Sequence, residues 1–99
     1  MLQPSYDTLS KGIMQRIFTA LDNSIDSVVL KDNVISVDVP HKGTFVVNRQ
    51  PPKSEIWLSS PISGPYHFKY KENKWTDFQG NDLLKIISEE ILDEQHMLE

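Results

Sequence analysis

The residues with the clearest chemical potential lie in the run 55–59, which reads Glu-Ile-Trp-Leu-Ser. Successive side chains of a β-strand point to opposite faces, so Ile56 and Leu58 share one face while Trp57 takes the other. The aliphatic pair is expected to face a core, which leaves Trp57 on the polar, solvent-facing side. Tryptophan is enriched at binding hot spots, so this position is typical of an anchor for a protein partner.

The same alternation in the neighbouring strands places polar side chains beside the tryptophan. It points Asn48 outward from the preceding strand and His67 outward from the following one, with Gln50 at the edge. The sequence therefore predicts one exposed patch made of Asn48, Gln50, Trp57 and His67. An alternative is that the indole lies flat over the sheet, covers backbone and binds nothing.

Nucleic-acid binding is a further alternative, because aromatic rings on an open sheet can stack bases. That function needs two or three stacking rings on a basic face. The alternation exposes one such ring, and the chain has a formal net charge of −4. We therefore predict no nucleic-acid partner.

The reactive side chains favour neither catalysis nor a closed metal site. The chain has no cysteine, which excludes disulfides, thiolate metal sites and cysteine nucleophiles. Ser59 and Ser60 precede a loop, but the GxSxG nucleophile elbow is missing. The histidines His41, His67 and His96 are scattered without ligand-like spacing, so we interpret them as surface residues.

Length and composition predict a single domain over residues 1–99. Leu, Ile, Val and Phe account for 29 of the 99 residues, which is enough for a small core. No apolar run exceeds three residues, so we expect no membrane span. The first residues resemble neither a secretory signal nor an Arg-rich transit peptide.

Charge is distributed unevenly along the chain. Residues 1–40 carry a net charge of −2, residues 41–75 carry +4, and residues 76–99 carry −6. The basic middle favours an acidic partner, and the acidic ends favour cations. The alternative is an ordinary surface of mixed charge.

Two helices and several strands must position these residues. Apolar residues at three- and four-residue steps predict a first helix over 5–22, capped by Ser5. A second helix is predicted over 82–98, capped by Asn81 or Asp82, with a solvated acidic face formed by Glu89, Glu90, Asp93 and Glu94. Period-two patterns and turn residues predict strands at 27–31, 34–39, 44–49, 55–59, 66–71 and 74–78.

This order of elements predicts an α+β fold. Both helices are expected to pack on one face of a single antiparallel sheet of about five to six strands, as a two-layer sandwich. The other face of the sheet would then meet water.

Residues 43–68 resemble the signature region of the frataxin family. The resemblance extends in element order over nearly the whole chain, from Tyr6 to the last helix. The closest matches are Asn-Arg-Gln at 48–50, Ile-Trp-Leu-Ser-Ser-Pro at 56–61, Ser-Gly-Pro at 63–65 and the later Trp75.

The resemblance implies an iron-binding accessory protein of iron–sulfur cluster assembly. Such proteins dock on the complex of cysteine desulfurase and scaffold protein and modulate sulfur transfer, and iron donation is also described. Asn48, Gln50 and Trp57 match positions of the family's binding surface, and His67 stands where many relatives have a basic or histidine residue. The alternatives are a ferroxidase or iron store, and a protein-interaction module without a metal role.

The resemblance also implies a location. We expect a monomer without a membrane partner, in the mitochondrial matrix or a mitochondrion-derived organelle. A bacterial cytoplasm is the alternative.

The iron side of the resemblance is where this sequence departs from the family. Frataxins resemble one another in a ridge of carboxylates along the first helix and strand, whose hard oxygens suit iron. Asp7 and Asp22 keep acidic positions and Asp26 follows the helix, so the resemblance implies iron binding there. Alternatively, Asp7 serves the helix dipole and Asp22 a solvated helix end.

Other positions of that ridge have lost their acids. Lys11 adds a repulsive charge one turn from Asp7, so we expect fewer and weaker iron sites than in a typical relative. The residues that stand where acids are common in the family are Lys11, Gly12, Gln15, Thr19 and Asn23.

Overall fold

Six antiparallel strands lie side by side in chain order in one sheet, and two helices pack against one of its faces. This arrangement, in a computed structural model that describes residues 5–93, confirms the predicted α+β two-layer sandwich. The elements are α1 Tyr6–Asp22, β1 Val28–Lys31, β2 Val34–Val39, β3 Gly43–Gln50, a 3₁₀ turn Pro51–Lys53, β4 Glu55–Ser60, β5 Gly64–Lys71, β6 Lys74–Thr76 and α2 Leu83–Glu90.

The first helix begins where its cap predicts. The Ser5 hydroxyl accepts a hydrogen bond from the backbone N–H of Thr8 at 3.2 Å, which satisfies one of the open donors of the first turn. Ile13, Ile17 and Leu21 follow at helical spacing and are buried. Among residues 5–93, no helix is both long and apolar enough to cross a membrane.

The sheet contributes one apolar face to the core. Alternate side chains of β2 to β5 are buried and meet the apolar stripes of α1 and α2 in a single cluster. The fully buried strand residues in this cluster are Ile35, Val37, Phe45, Val47, Ile56, Leu58 and Phe68. The opposite face of the sheet is not covered by either helix, and we call it the open face.

Two tight turns set the register of the sheet. The backbone angle φ is 52° and 70° at Asp32 and Asn33, and 52° and 66° at Glu72 and Asn73. Type I′ turns need positive φ at both central residues, which asparagine tolerates better than most residues. These turns fall in the gaps between strands predicted at 27–31 and 34–39 and at 66–71 and 74–78, and they set which side chains stand opposite each other.

The second helix is shorter than predicted. Asp82 caps it by accepting from the backbone N–H of Leu84 at 2.9 Å, but helix α2 ends at Glu90 instead of continuing to 98. Two features account for the end of the helix. Lys42 Nζ donates a hydrogen bond to the Glu90 carbonyl at 2.7 Å, and the backbone of Asp93 has a left-handed φ of 56°. Residues 94–98 of the predicted helix lie outside the described part of the chain.

The interpretation of the acidic helix face as solvated was wrong for Glu90. Its carboxylate accepts from the hydroxyls of Ser60 at 2.6 Å and Ser63 at 2.7 Å. Ser60 also accepts from the backbone N–H groups of Ile62 and Ser63, so it holds the turn between β4 and β5. The Ser-Ser-Pro and Ser-Gly-Pro motifs therefore tie the end of α2 to the sheet.

Replacing Glu90 with Ala is expected to lower the free energy of unfolding by about 2 kcal/mol, because two hydroxyl donors lose a charged acceptor. Urea unfolding at neutral pH measures this. Glu89→Ala is the matched control, since Glu89 is exposed on the same helix and makes no hydrogen bond or ion pair within residues 5–93. Equal effects of the two changes would contradict the role assigned to Glu90.

Candidate partner-binding surface

The structure brings the predicted patch together on the open face. Strand pairing sets Asn48 of β3 opposite Trp57 of β4, and Trp57 opposite His67 of β5. Gln50 lies two residues further along β3, on the same face, opposite Glu55. We call Asn48, Gln50, Trp57 and His67 the Trp57 patch.

The indole of Trp57 is stacked against the ring of its cross-strand neighbour. The rings of Trp57 and His67 stack with centroids 4.1 Å apart and an angle of 10° between their planes. The tryptophan is half-buried and the histidine is exposed. A large aromatic surface with little rotational freedom loses little side-chain entropy when a partner covers it.

Glu55 belongs to the same site, although sequence reasoning did not select it. Its carboxylate accepts from Trp57 Nε1 at 2.8 Å and lies 3.3 Å from Lys69 Nζ, and its side chain is only 12% exposed. The indole N–H and then the lysine hold the pKa of Glu55 below its usual range, against the opposing effect of burial. The signal was available, because residues 55 and 57 share one face of a strand.

Trp57→Phe is expected to raise the pKa of Glu55 toward the ordinary glutamate value, because phenylalanine has no N–H to donate. NMR titration of the side-chain carboxyl measures the change. Ser59→Ala, on the same face of β4, is the control and should leave the Glu55 pKa as it is. An equal pKa in wild type and Trp57→Phe would contradict the assigned hydrogen bond.

The lowered pKa of Glu55 also sets a direction for stability. A depressed folded-state pKa contributes stability at pH values above the ordinary glutamate pKa of about 4.3. That contribution is lost as pH falls through the lower folded-state pKa. We expect the stability difference between wild type and Trp57→Phe to narrow over this acidic range.

Asp7, the first of the three iron candidates, is already paired with two cationic side chains. One oxygen of Asp7 lies 3.1 Å from Lys11 Nζ and the other lies 3.0 Å from Arg49 Nη1. The hydrogen bond from Lys11 and then that from Arg49 lower the pKa of Asp7. Lys11 therefore pairs with this carboxylate directly, which offsets the charge that a metal ion would need.

The other two iron candidates lie at the far end of α1. Asp7 and Asp22 are fifteen residues apart on one helix, a rise of about 22 Å, so they do not share an ion. Asp26 follows in the connection to β1, closer to Asp22. Both are exposed, and neither carboxylate has a partner within residues 5–93. In that part of the chain, no group of three or more histidine, aspartate or glutamate residues is arranged to hold a metal ion.

Arg49 is the residue that joins the first helix to the sheet. Phe45, Val47 and Arg49 alternate inward along β3, and the arginine side chain is only 6% exposed. Its guanidinium and Nε donate to the carboxylate of Asp7 and to the side-chain oxygens of Ser10 and Asn33 at 2.9 to 3.1 Å. Arg49 was not selected from the sequence, although the period of two along β3 is consistent with its inward position.

A family model described as a frataxin-like domain matches residues 1–96. The chain belongs to the frataxin family. A mitochondrial frataxin homologue of Saccharomyces cerevisiae is 35% identical over 79 residues, which cover 79% of this chain and 45% of that protein. A mitochondrial frataxin-like protein of Leishmania donovani is 30% identical over 100 residues, covering 87% of this chain and 52% of that protein.

Solved structures agree with the family. Trimeric yeast frataxin superposes with a TM-score of 0.79 at 28% identity, covering 94% of this chain and 81% of that one. A structure of the same yeast protein complexed with ferrous iron gives a TM-score of 0.72 at 29% identity, over 94% of this chain and 87% of that one. The frataxin fold that the resemblance implied is confirmed.

This frataxin-like chain spans about half the length of the curated relatives it matches. Those relatives are described as mitochondrial, which supports a mitochondrial location over the bacterial alternative.

Proposed function

We propose that this frataxin-like chain is an accessory protein of iron–sulfur cluster assembly and iron handling. It docks on the complex of cysteine desulfurase and scaffold protein through the Trp57 patch and modulates sulfur transfer there. The observation that carries the proposal is the row of Asn48, Trp57 and His67 across three strands, with the indole fixed by stacking and by Glu55. Family membership supports the partner class.

We propose that the chain binds iron weakly, as a cargo that it donates. The ferrous complex of the yeast relative supports iron binding in this family. Within residues 5–93, the carboxylates of Asp22 and Asp26 have no partner, whereas Asp7 is paired with Lys11 and Arg49. We therefore expect any iron to perturb the end of α1 more than its start. The protein is proposed to act as a monomer.

One alternative function has an observation in its favour. Asp7 is paired with the side chains of Lys11 and Arg49 and lies far from Asp22. This arrangement favours a protein-interaction module that regulates the complex without metal. A ferroxidase, by contrast, needs clustered carboxylates, and the three iron candidates divide between the two ends of α1.

An amide NMR titration separates these functions. Fe²⁺ is added under argon, and the desulfurase–scaffold complex is added to a second sample. Shifts at Asp22 and Asp26 with iron, and at Trp57 and Asn48 with the complex, would support an iron-binding accessory protein. If only the complex binds, the metal-independent regulator is supported. If the complex perturbs nothing, the proposed docking is wrong.

A further inference from the structure

The open face carries a second feature next to the Trp57 patch. An open cleft of about 690 Å³ lies where β5 meets β6 and the following loop. We call it the β5–β6 cleft. It shares Glu55, His67 and Lys69 with the surroundings of Trp57, so the two surfaces are continuous. The residues of its outer part that carry the argument are Lys71, Lys74, Thr76 and Phe78.

Phe78 presents an aromatic ring almost completely to solvent, with 94% of the residue exposed. The loop that carries it is held by Asp77, whose carboxylate accepts from the backbone N–H groups of Gln79 at 3.0 Å and Asn81 at 2.8 Å. Two backbone hydrogen bonds close the same loop, from Asp77 to Asn81 and from Gly80 to Asp77. The ring is therefore offered from a fixed backbone, and covering it would remove apolar surface from water.

The lysines of the cleft are arranged unfavourably for the isolated chain. Lys71 and Lys74 stand directly opposite each other across β5 and β6, and like charges in that position repel. Neither makes a hydrogen bond or ion pair within residues 5–93, whereas Lys69 is already paired with Glu55. Asp77 is engaged in its loop, which leaves Glu72 in the turn as the nearby acid that has no partner in the described part of the chain.

The charges on the open face as a whole also favour the binding of negatively charged groups. The charged side chains on this face are Lys31, Asp38, Glu55, Lys69, Lys71 and Lys74. The four lysines exceed the two acids, although the whole chain has a net charge of −4. Three of the four lysines lie at the β5–β6 end, beside the exposed ring. The cleft is also lined by Glu55, Glu72 and Asp77, but Glu55 is paired with Lys69 and Asp77 is hydrogen-bonded within its loop.

We propose that the β5–β6 cleft binds an acidic segment of the partner that covers the Trp57 patch. Carboxylates of that segment pair with Lys71 and Lys74, and an apolar side chain packs on Phe78. This inference rests on the proposed function, because the cleft continues the surface around Trp57. It adds the chemistry of the partner segment and the residues that select it.

Isothermal titration calorimetry with the assembled desulfurase–scaffold complex tests the cleft. Lys74→Glu and Phe78→Ala are each expected to raise Kd about tenfold or more, and the Lys74→Glu effect should shrink at high salt. Lys31→Glu is the matched control, because this substitution changes the charge by the same amount on the same face, at the opposite edge of the sheet. It should change Kd less than about twofold.

The other outcomes are equally definite. If Trp57→Ala weakens binding but Lys74→Glu and Phe78→Ala bind as wild type, the cleft has no docking role and the proposed function stands. In that case the edge lysines serve only to prevent strand pairing at β6. An equal loss of affinity for Lys31→Glu and Lys74→Glu would indicate an electrostatic effect of the whole face and would contradict a local site in the cleft. If the wild-type chain does not bind the complex, both proposals fall together.

Discussion

Trp57→Ala should weaken binding to the desulfurase–scaffold complex by at least about 2 kcal/mol, roughly a thirtyfold rise in Kd. The indole is the largest side chain of the Trp57 patch and is fixed before contact by His67 and Glu55. Truncation removes the contact area and also frees His67 and Glu55 from their partner. Calorimetry or an equilibrium binding assay measures the change.

The fold should survive this substitution, because Trp57 lies on the open face and outside the buried core cluster. Val29→Ala is a matched truncation. Val29 is an exposed apolar residue on the same face, at the far edge in β1, and its loss should leave Kd unchanged. An affinity of Trp57→Ala within a factor of two of wild type would remove the tryptophan from the docking surface.

Arg49→Ala is expected to have the largest effect on stability, a loss of about 3 kcal/mol in the free energy of unfolding. The buried guanidinium supplies hydrogen bonds to α1 through Asp7 and Ser10 and to the β1–β2 turn through Asn33. Its removal leaves a space beside the core and leaves Ser10, which is fully buried, without its charged donor. The exposed partners Asp7 and Asn33 can turn to water, which limits the loss.

Urea unfolding of the two arginine variants tests this assignment. Arg16→Ala is the control, because Arg16 is exposed on α1 and makes no hydrogen bond or ion pair within residues 5–93. A loss of less than about 1 kcal/mol for Arg49→Ala would mean that the guanidinium contributes no more than a surface pair. If the assignment is right, adding Asp7→Asn to Arg49→Ala should lower the free energy of unfolding only slightly further, because the two residues belong to one hydrogen-bond network.

The contacts of Asp7 with Lys11 and Arg49 also affect iron binding. Arg49 and Lys11 place two positive charges on the single acid that begins the first helix. The carboxylate therefore contributes to the junction of helix and sheet, and its use as a metal ligand would require breaking its contacts with Lys11 and Arg49. This coupling gives a physical reason for the weak iron binding that we propose.

Local pattern was sufficient for most of the architecture. Strict alternation in β2, β3 and β4 predicted both the core face and the outward positions of Asn48 and Trp57. The Ser5 and Asp82 caps and the two Asn-containing turns predicted where elements begin and reverse. These signals succeed because burial of one face and the geometry of caps and turns act within a few residues.

Long-range contacts escaped the same reasoning. The end of α2 depends on Lys42, which is 48 residues distant from Glu90 along the chain. The partners of Glu90 are the serines of the β4–β5 turn, and those of Arg49 are on the first helix and the first hairpin. A charged residue in the sequence shows its charge but not which distant group will neutralise it.

The sequence by itself therefore determined the fold class, the family, the strand faces and the four members of the Trp57 patch. Only the tertiary structure decided that His67 stacks on Trp57, that Glu55 holds the indole, and that Asp7 is paired rather than free. The physical reason is that period and propensity are local properties, whereas hydrogen bonds and ion pairs between elements depend on how the elements meet.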